Sequence, residues 1–204
     1  MDGAASIDAL SEAALAGGNG ALALTDHGNL YGAVEFHDKA RKKGLQPILG
    51  LEAYLAERSC QEKNDRPGNE TTHFTLLAKD LEGWQNLLKL SSESFLRGFF
   101  RKPRIDKELL GRHSRGLIGL SGCLSGEINL HLLRGDRERA RTAAGTYREI
   151  LGPENFYLEL MRIGLDRQET CNQELIRIGR ELGIPLVATG DVHFLGPEDW
   201  VTQD

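Results

Sequence analysis

Cysteine, surplus positive charge and long apolar runs are all scarce in this 204-residue chain. The three cysteines, Cys60, Cys123 and Cys171, are too few for a disulfide scaffold, and an odd count leaves one unpaired. A reducing, cytoplasmic compartment is therefore expected. No apolar run approaches the roughly 18 residues of a membrane span. The N-terminal MDGAASIDAL has no basic region followed by an apolar stretch, so no secretion signal is expected. Thirty acidic against 25 basic residues give a net charge of −5, which excludes a global basic field but not a local one. A Walker-type phosphate loop, a G-x-S-x-G elbow, an H-E-x-x-H pair, a Rossmann fingerprint and internal repeats are all missing.

What is present reads as a globular α/β domain. Leu, Ile and Val recur throughout, which excludes global disorder, and 40% apolar with 27% charged residues is ordinary for a soluble fold. Many of the 24 glycines fall where strand-like runs meet helix-like runs. Helical periodicity marks 7–15, with Ser6 as N-cap, and then 30–43, 81–96, 105–110, 128–133, 137–151 and 167–182. Short apolar runs of strand length mark 21–25, 47–55, 74–78, 117–121, 155–160 and 185–189. Strands separated by helices predict βαβ units and a mainly parallel sheet, open or as an incomplete barrel. Two segments interrupt the rhythm. Residues 58–72 are polar with a Pro-Gly pair and read as an exposed loop. Residues 97–107 carry five basic residues and one acid.

Metal-type side chains collect just past strand ends. Asp26 and His27 follow ALALT, Cys123 follows LIGLS and one glycine, and Asp191 and His193 follow PLVAT and one glycine. Glu52 lies inside PILGLEAYL, where an unpaired carboxylate is costly. In parallel α/β folds those ends share one face, so residues distant in sequence should converge there. Individually each has a plainer use: Asp26 as a helix cap, His27 as a loop histidine, Cys123 as a buried thiol, Asp191-Val-His193 as a turn. His73 precedes its strand and escapes the pattern. A mixed His, carboxylate and thiolate set suits zinc, with manganese or iron as alternatives, and more than four ligands would suggest several ions. Such sites activate water and clamp phosphate oxygens, which points to phosphoester hydrolysis.

The segments DGAASIDAL, ALALTDHGNLYGAVEF, PILGLEAYL, HFTLLAKDLEGWQNLLKL, FRKPRIDKELL, GLIGLSGCLSGEI, FYLEL and GIPLVATGDVHFLGPED together resemble the polymerase-and-histidinol-phosphatase (PHP) domain. The similarity is greatest to its version in bacterial DNA polymerase III alpha subunits. It implies a distorted barrel of about seven βα units holding up to three metal ions. By motif it implies Asp2, His27, Glu52, His73, Cys123, Asp191 and His193 as metal ligands. Asp26, His27 and Asp191 are the candidate catalytic residues, Asp26 in a supporting role. Family members begin with a strand carrying a His-x-His pair that is absent here, leaving seven of nine ligand positions. The expectation is a single PHP domain, 1–204, cut at both ends from a larger polymerase chain.

The implied activity is metal-dependent 3′–5′ exonuclease or phosphoesterase chemistry, with nucleotide addition belonging to the longer parent. Alternatives are a free-standing phosphoesterase for small monoesters and a non-catalytic scaffold. The implied partners are the rest of the polymerase chain, DNA and a proofreading exonuclease subunit. Arg101, Lys102 and Arg104, interleaved with Phe99 and Phe100, are candidates for contact with DNA; the competing reading is a solvated face over two buried phenylalanines.

Overall fold

A computed structural model describes residues 3, 5–64, 70–196 and 198–199. The expected Asp2 ligand and the Pro67-Gly68 turn lie outside the described residues. The chain forms two compact units. One comprises 1–24, 31–49 and 191–204; the other comprises 25–30 and 50–190.

In the first unit, Ser6 caps α1 (Ile7–Ala16) by accepting the Ala9 N–H at 3.3 Å. Strand β1 (Ala21–Leu24) pairs in parallel with the opening residues of β2 (Gln46–Ala56), in register from Ala21↔Gln46 to Leu24↔Leu49. Helix α2 (Ala33–Lys42) places Phe36 and Ala40 against Ala14 and Leu45, with Ile7, Leu22, Leu24 and Leu49 around them. Lys39 bridges Asp8 at 2.5 Å and Glu35 at 2.8 Å on the solvent side, which lowers the Asp8 pKa and raises that of Lys39. The N-cap of α2 is Gly32, not Asp26, so the capping use of Asp26 does not hold.

The second unit holds the larger core. After β2 come β3 (Thr71–Ala78), α3 (Leu81–Leu96), β4 (Arg104–Ile105), α4 (Lys107–Arg112) and β5 (Leu117–Leu120). Then follow α5 (Glu127–Leu133), α6 (Arg137–Leu151), β6 (Phe156–Met161), α7 (Asp166–Leu182) and β7 (Leu186–Thr189). Its sheet runs β2-β3-β5-β6-β7, with β4 beside β2. Phe74 stacks on Tyr147 at 4.5 Å and on Phe156 at 6.1 Å, joining strands to α6 in a core with Leu76, Leu87, Leu158 and Ile178.

The mainly parallel sheet needs one correction. Strand β3 runs antiparallel to both neighbours, from Gly50↔Leu77 to Ala56↔Thr71 on one side and from Thr75↔Leu120 to Ala78↔Leu117 on the other. The connection from β2 to β3 has no helix among its described residues, and a chain that returns without a crossover pairs antiparallel. A second correction concerns 105–110. Arg104 and Ile105 join the sheet beside Tyr54 and Leu55, and the helix starts only at Lys107, capped by Asp106.

Candidate metal centre

The reversed β3 is what completes the site. In register, His73 faces Tyr54, two residues beyond Glu52, so the start of β3 lies level with the end of β2. His73 therefore meets groups that follow the C-terminal ends of the other strands, although it precedes its own. The backbone bridge from His73 to Gly126 and the bond from His73 N to the Ser125 carbonyl, 3.0 Å, tie it to the loop after β5.

His27 arrives by another route. The turn 25–30 is laced onto β2 by Glu52 N to the Asp26 carbonyl at 3.0 Å and Gly28 N to the Glu52 carbonyl at 2.9 Å. That bridge sets His27 beside Glu52. Gly28 has φ +67, and a Cβ there would lie 2.7 Å from Pro103 Cγ, so only glycine closes the turn this tightly.

The Glu52 carboxylate spans two imidazoles. Oε1 is 2.7 Å from His73 Nδ1 and Oε2 is 3.3 Å from His27 Nδ1. Cys123 Sγ is 3.7 Å from His73 Nδ1. One donor atom from each of His27, Glu52 and His73 lies within 4.8 Å of the others. Burial disfavours charge on His73, but the neighbouring Cys123 and the Glu52 carboxylate outweigh it and push the imidazole up to about 9. Two donors on one tetrahedral zinc, each at about 2.1 Å, sit roughly 3.4 Å apart, so the 3.3 and 3.7 Å spacings and this His/carboxylate/thiol chemistry fit a first-row divalent ion, while the 2.7 Å Glu52–His73 contact is a direct hydrogen bond that has to open for both to ligate.

The Cys123 loop is held from three sides. Glu159 is only 3% exposed. Its Oε2 accepts the Gly122 N–H at 3.0 Å, and its Oε1 accepts the Thr189 hydroxyl at 2.6 Å. Buried Asn129 on α5 donates to the Cys123 carbonyl at 2.9 Å, and Gly126 N donates to the same oxygen at 2.8 Å. Gly122 has φ +84, and a Cβ there would come within 2.7 Å of the His73 carbonyl. Glu159, Asn129 and Tyr54 were not among the sequence candidates. Glu159 carried a usable signal, being a carboxylate within apolar FYLEL, as Glu52 is within PILGLEAYL.

Four expected ligands thus meet: His27, Glu52, His73 and Cys123. Asp26 contributes its backbone carbonyl to Glu52 and keeps a half-buried side chain. Asp191 and His193 belong to the first unit. There Asp191 adopts φ 48, a left-handed conformation that Asp tolerates. The Asp191 carbonyl lies 2.8 Å from His193 Nδ1, and its carboxylate 3.9 Å away.

The basic segment divides. Arg104 does not face solvent and so is not available to DNA. It is 1% exposed, and its guanidinium donates to the carbonyls of Gly98 at 3.1 Å, Cys60 at 2.9 Å and Glu62 at 2.9 Å. Arg101 and Lys102 are exposed, and Phe99 is 46% exposed rather than buried.

The sequence profile of the PHP domain matches residues 1–163. This chain belongs to the PHP domain family. DNA polymerase III subunit alpha of Borreliella burgdorferi is 43% identical over 205 residues, covering 100% of this chain and 18% of the relative. The same subunit of Thermus aquaticus is 45% identical over 181 residues, covering 88% of this chain and 15% of the relative. The PHP chain thus spans less than a fifth of these curated relatives.

Two solved structures share the fold. An amidohydrolase from Chromobacterium violaceum, with bound sulfate and no metal, superposes with TM-score 0.58 at 13% identity, covering 96% of this chain and 84% of that one. A protein from Bifidobacterium adolescentis described as a metal-dependent phosphoesterase gives 0.53 at 14% identity, over 96% and 84%. No described helix is long and apolar enough to cross a membrane.

Proposed function

We propose that this chain is the PHP module of a DNA polymerase III alpha subunit, and that its His27–Glu52–His73–Cys123 cluster binds divalent metal and hydrolyses a terminal phosphodiester. The observation that carries the reading is the convergence of three donor atoms within 4.8 Å, from a turn and two strands distant in sequence. The polymerase relatives and the phosphoesterase-like fold support the substrate class. Asp2, Asp191 and His193 complete the proposed ligand set, and zinc is the proposed ion, with manganese or iron as the alternatives.

When bound, such an ion would polarise a phosphoryl oxygen and lower the pKa of a coordinated water. The chain's own contribution is orientation. Glu52 holds the His73 imidazole and stands 3.3 Å from that of His27, and Glu159 and Asn129 fix the backbone beneath Cys123. The proton that His73 Nδ1 shares with its neighbours must leave before that nitrogen can ligate. Tyr54 lies parallel to the His27 ring, 6.0 Å away, and covers one side of the cluster.

A 5′-labelled single-stranded oligonucleotide, incubated with the chain and manganese or zinc, tests this reading. Shortening that chelator abolishes and Glu52→Gln reduces at least about 100-fold is expected for loss of a residue that would hold the ion. Cleavage of p-nitrophenyl phosphate alone would instead favour a small-monoester phosphatase. The 2.7 Å Glu52–His73 contact also ties β2 to the start of β3, and this structural use favours a second reading, a non-catalytic scaffold for the polymerase and its proofreading partner. No cleavage by metal-loaded protein would leave that reading standing.

A further inference from the structure

The basic segment and the metal cluster meet through one side chain. Lys102 Nζ sits 4.3 Å from the centroid of the Tyr54 ring. Tyr54 stacks on His27 at 6.0 Å with a 13° interplanar angle and meets the edge of His73 at 5.2 Å. The Lys102 ammonium is therefore no more than about 10 Å from the His27 ring. Among the described residues no carboxylate pairs with it, and its contact is the ring alone.

The loop carrying this charge is rigidly held. Arg104 anchors its end through the three carbonyl bonds given above, and β4 adds the register Tyr54↔Arg104. Pro103 packs on Gly28, the residue after His27. At the tip, Phe100 N donates to the Lys102 carbonyl at 3.1 Å, and Arg101 between them takes φ 61. A non-glycine residue held in that region is strained, and such strain persists where the surroundings impose it. A solvated, merely soluble lysine would not need a fixed loop. Beside it, exposed Phe99 stacks with Phe95 at 6.1 Å and offers an aromatic face.

From this we infer that Lys102, on the Tyr54 ring, forms an anion subsite for a backbone phosphate of single-stranded nucleic acid whose end lies at the metal cluster, with Phe99 as a stacking surface for a base. The inference rests on the phosphodiesterase reading for what occupies the cluster. A separation of at most about 10 Å is within the rise of roughly three nucleotides along one strand, so one short single strand reaches both places. A compact ammonium on a flexible stem suits a phosphate that arrives in varied orientations, and base–aromatic stacking is sequence-tolerant.

The test is fluorescence anisotropy of a labelled 12-nucleotide oligo-dT in EDTA, with the whole chain, across a salt series. Lys102→Ala is expected to weaken binding about 5- to 10-fold and to reduce the slope of log K against log salt by about 0.7, the value for one phosphate on a single strand. Lys102→Arg is expected to restore most of both, and Phe99→Ala to weaken binding with the slope unchanged. Thermal unfolding of each variant should match the parent, because both side chains are exposed. An unchanged salt slope in Lys102→Ala, or no oligonucleotide binding by the parent chain, overturns the inference. Metal content of the same proteins, loaded with zinc in a parallel chelator-free preparation and desalted, separates the two readings. Lys102-dependent binding by protein that takes up no metal sinks the phosphodiesterase and keeps the subsite. Stoichiometric metal with Lys102-independent binding does the reverse.

Discussion

Replacing Glu159 by Ala removes one buried carboxylate that holds two donors, the Gly122 N–H at 3.0 Å and the Thr189 hydroxyl at 2.6 Å. Hydrogen bonds to a charged acceptor contribute about 1.5–3 kcal/mol each. Against that, burying a carboxylate at 3% exposure carries a desolvation cost that the substitution relieves. The balance is a loss of about 2–4 kcal/mol for Glu159→Ala. Glu159→Gln should lose only about 1–2 kcal/mol, since the amide oxygen keeps one donor and the Thr189 hydroxyl can turn to accept from the amide. In urea, with a slope of about 2 kcal/mol per molar, Glu159→Ala should lower the midpoint by about 1–2 M by circular dichroism. The released Gly122 backbone should also speed alkylation of Cys123. A Glu159→Ala midpoint within about 0.3 M of the parent, which the quoted slope makes well under 1 kcal/mol, would refute the assigned role.

The other expectations concern thiols and acid stability. Burial, then Asp106, pushes the Cys60 thiol up to about 12, and burial raises Cys171. In chelator at pH 8, iodoacetamide should modify Cys123 while sparing both; equal rates at Cys60 and Cys123 would contradict the burial. For Asp106, burial raises the pKa, but the N–H groups of Cys60 and Leu109 outweigh it and hold the carboxyl below its usual 3.8. A depressed carboxylate stabilises above its unfolded value and loses that contribution as pH falls through the folded one. Asp106→Ala should therefore cost about 1–2 kcal/mol at pH 7, with the gap in unfolding temperature narrowing below about pH 4. A gap constant from pH 7 to 3 would rule this out.

Much of the fold was legible because its helices are amphipathic and its strands short and apolar; α3 and α6 fall on 81–96 and 137–151 as their periodicity indicates. Glu52 stood out because a carboxylate in an apolar strand demands partners, and it has two. His73 could not be placed from a rule that assumes parallel strands, since β3 runs backwards. Only the resemblance to PHP domains supplied it. Arg104 shows the opposite failure. In sequence it is one more basic residue in a basic run, but its neighbours Gly98, Cys60 and Glu62 turn carbonyls toward it, and no local pattern reports that. Glu159 could have been found by the same physics as Glu52.

His27, Glu52 and His73 are proposed here as a divalent-metal site. Calorimetric titration of zinc into chelator-treated protein at pH 7.5, for the parent and for Glu52→Gln, tests it most directly. Saturable binding of at least one ion per chain, weakened by about 10- to 100-fold or more in Glu52→Gln, is the predicted result. No saturable binding in the parent, or equal affinity in Glu52→Gln, would contradict it.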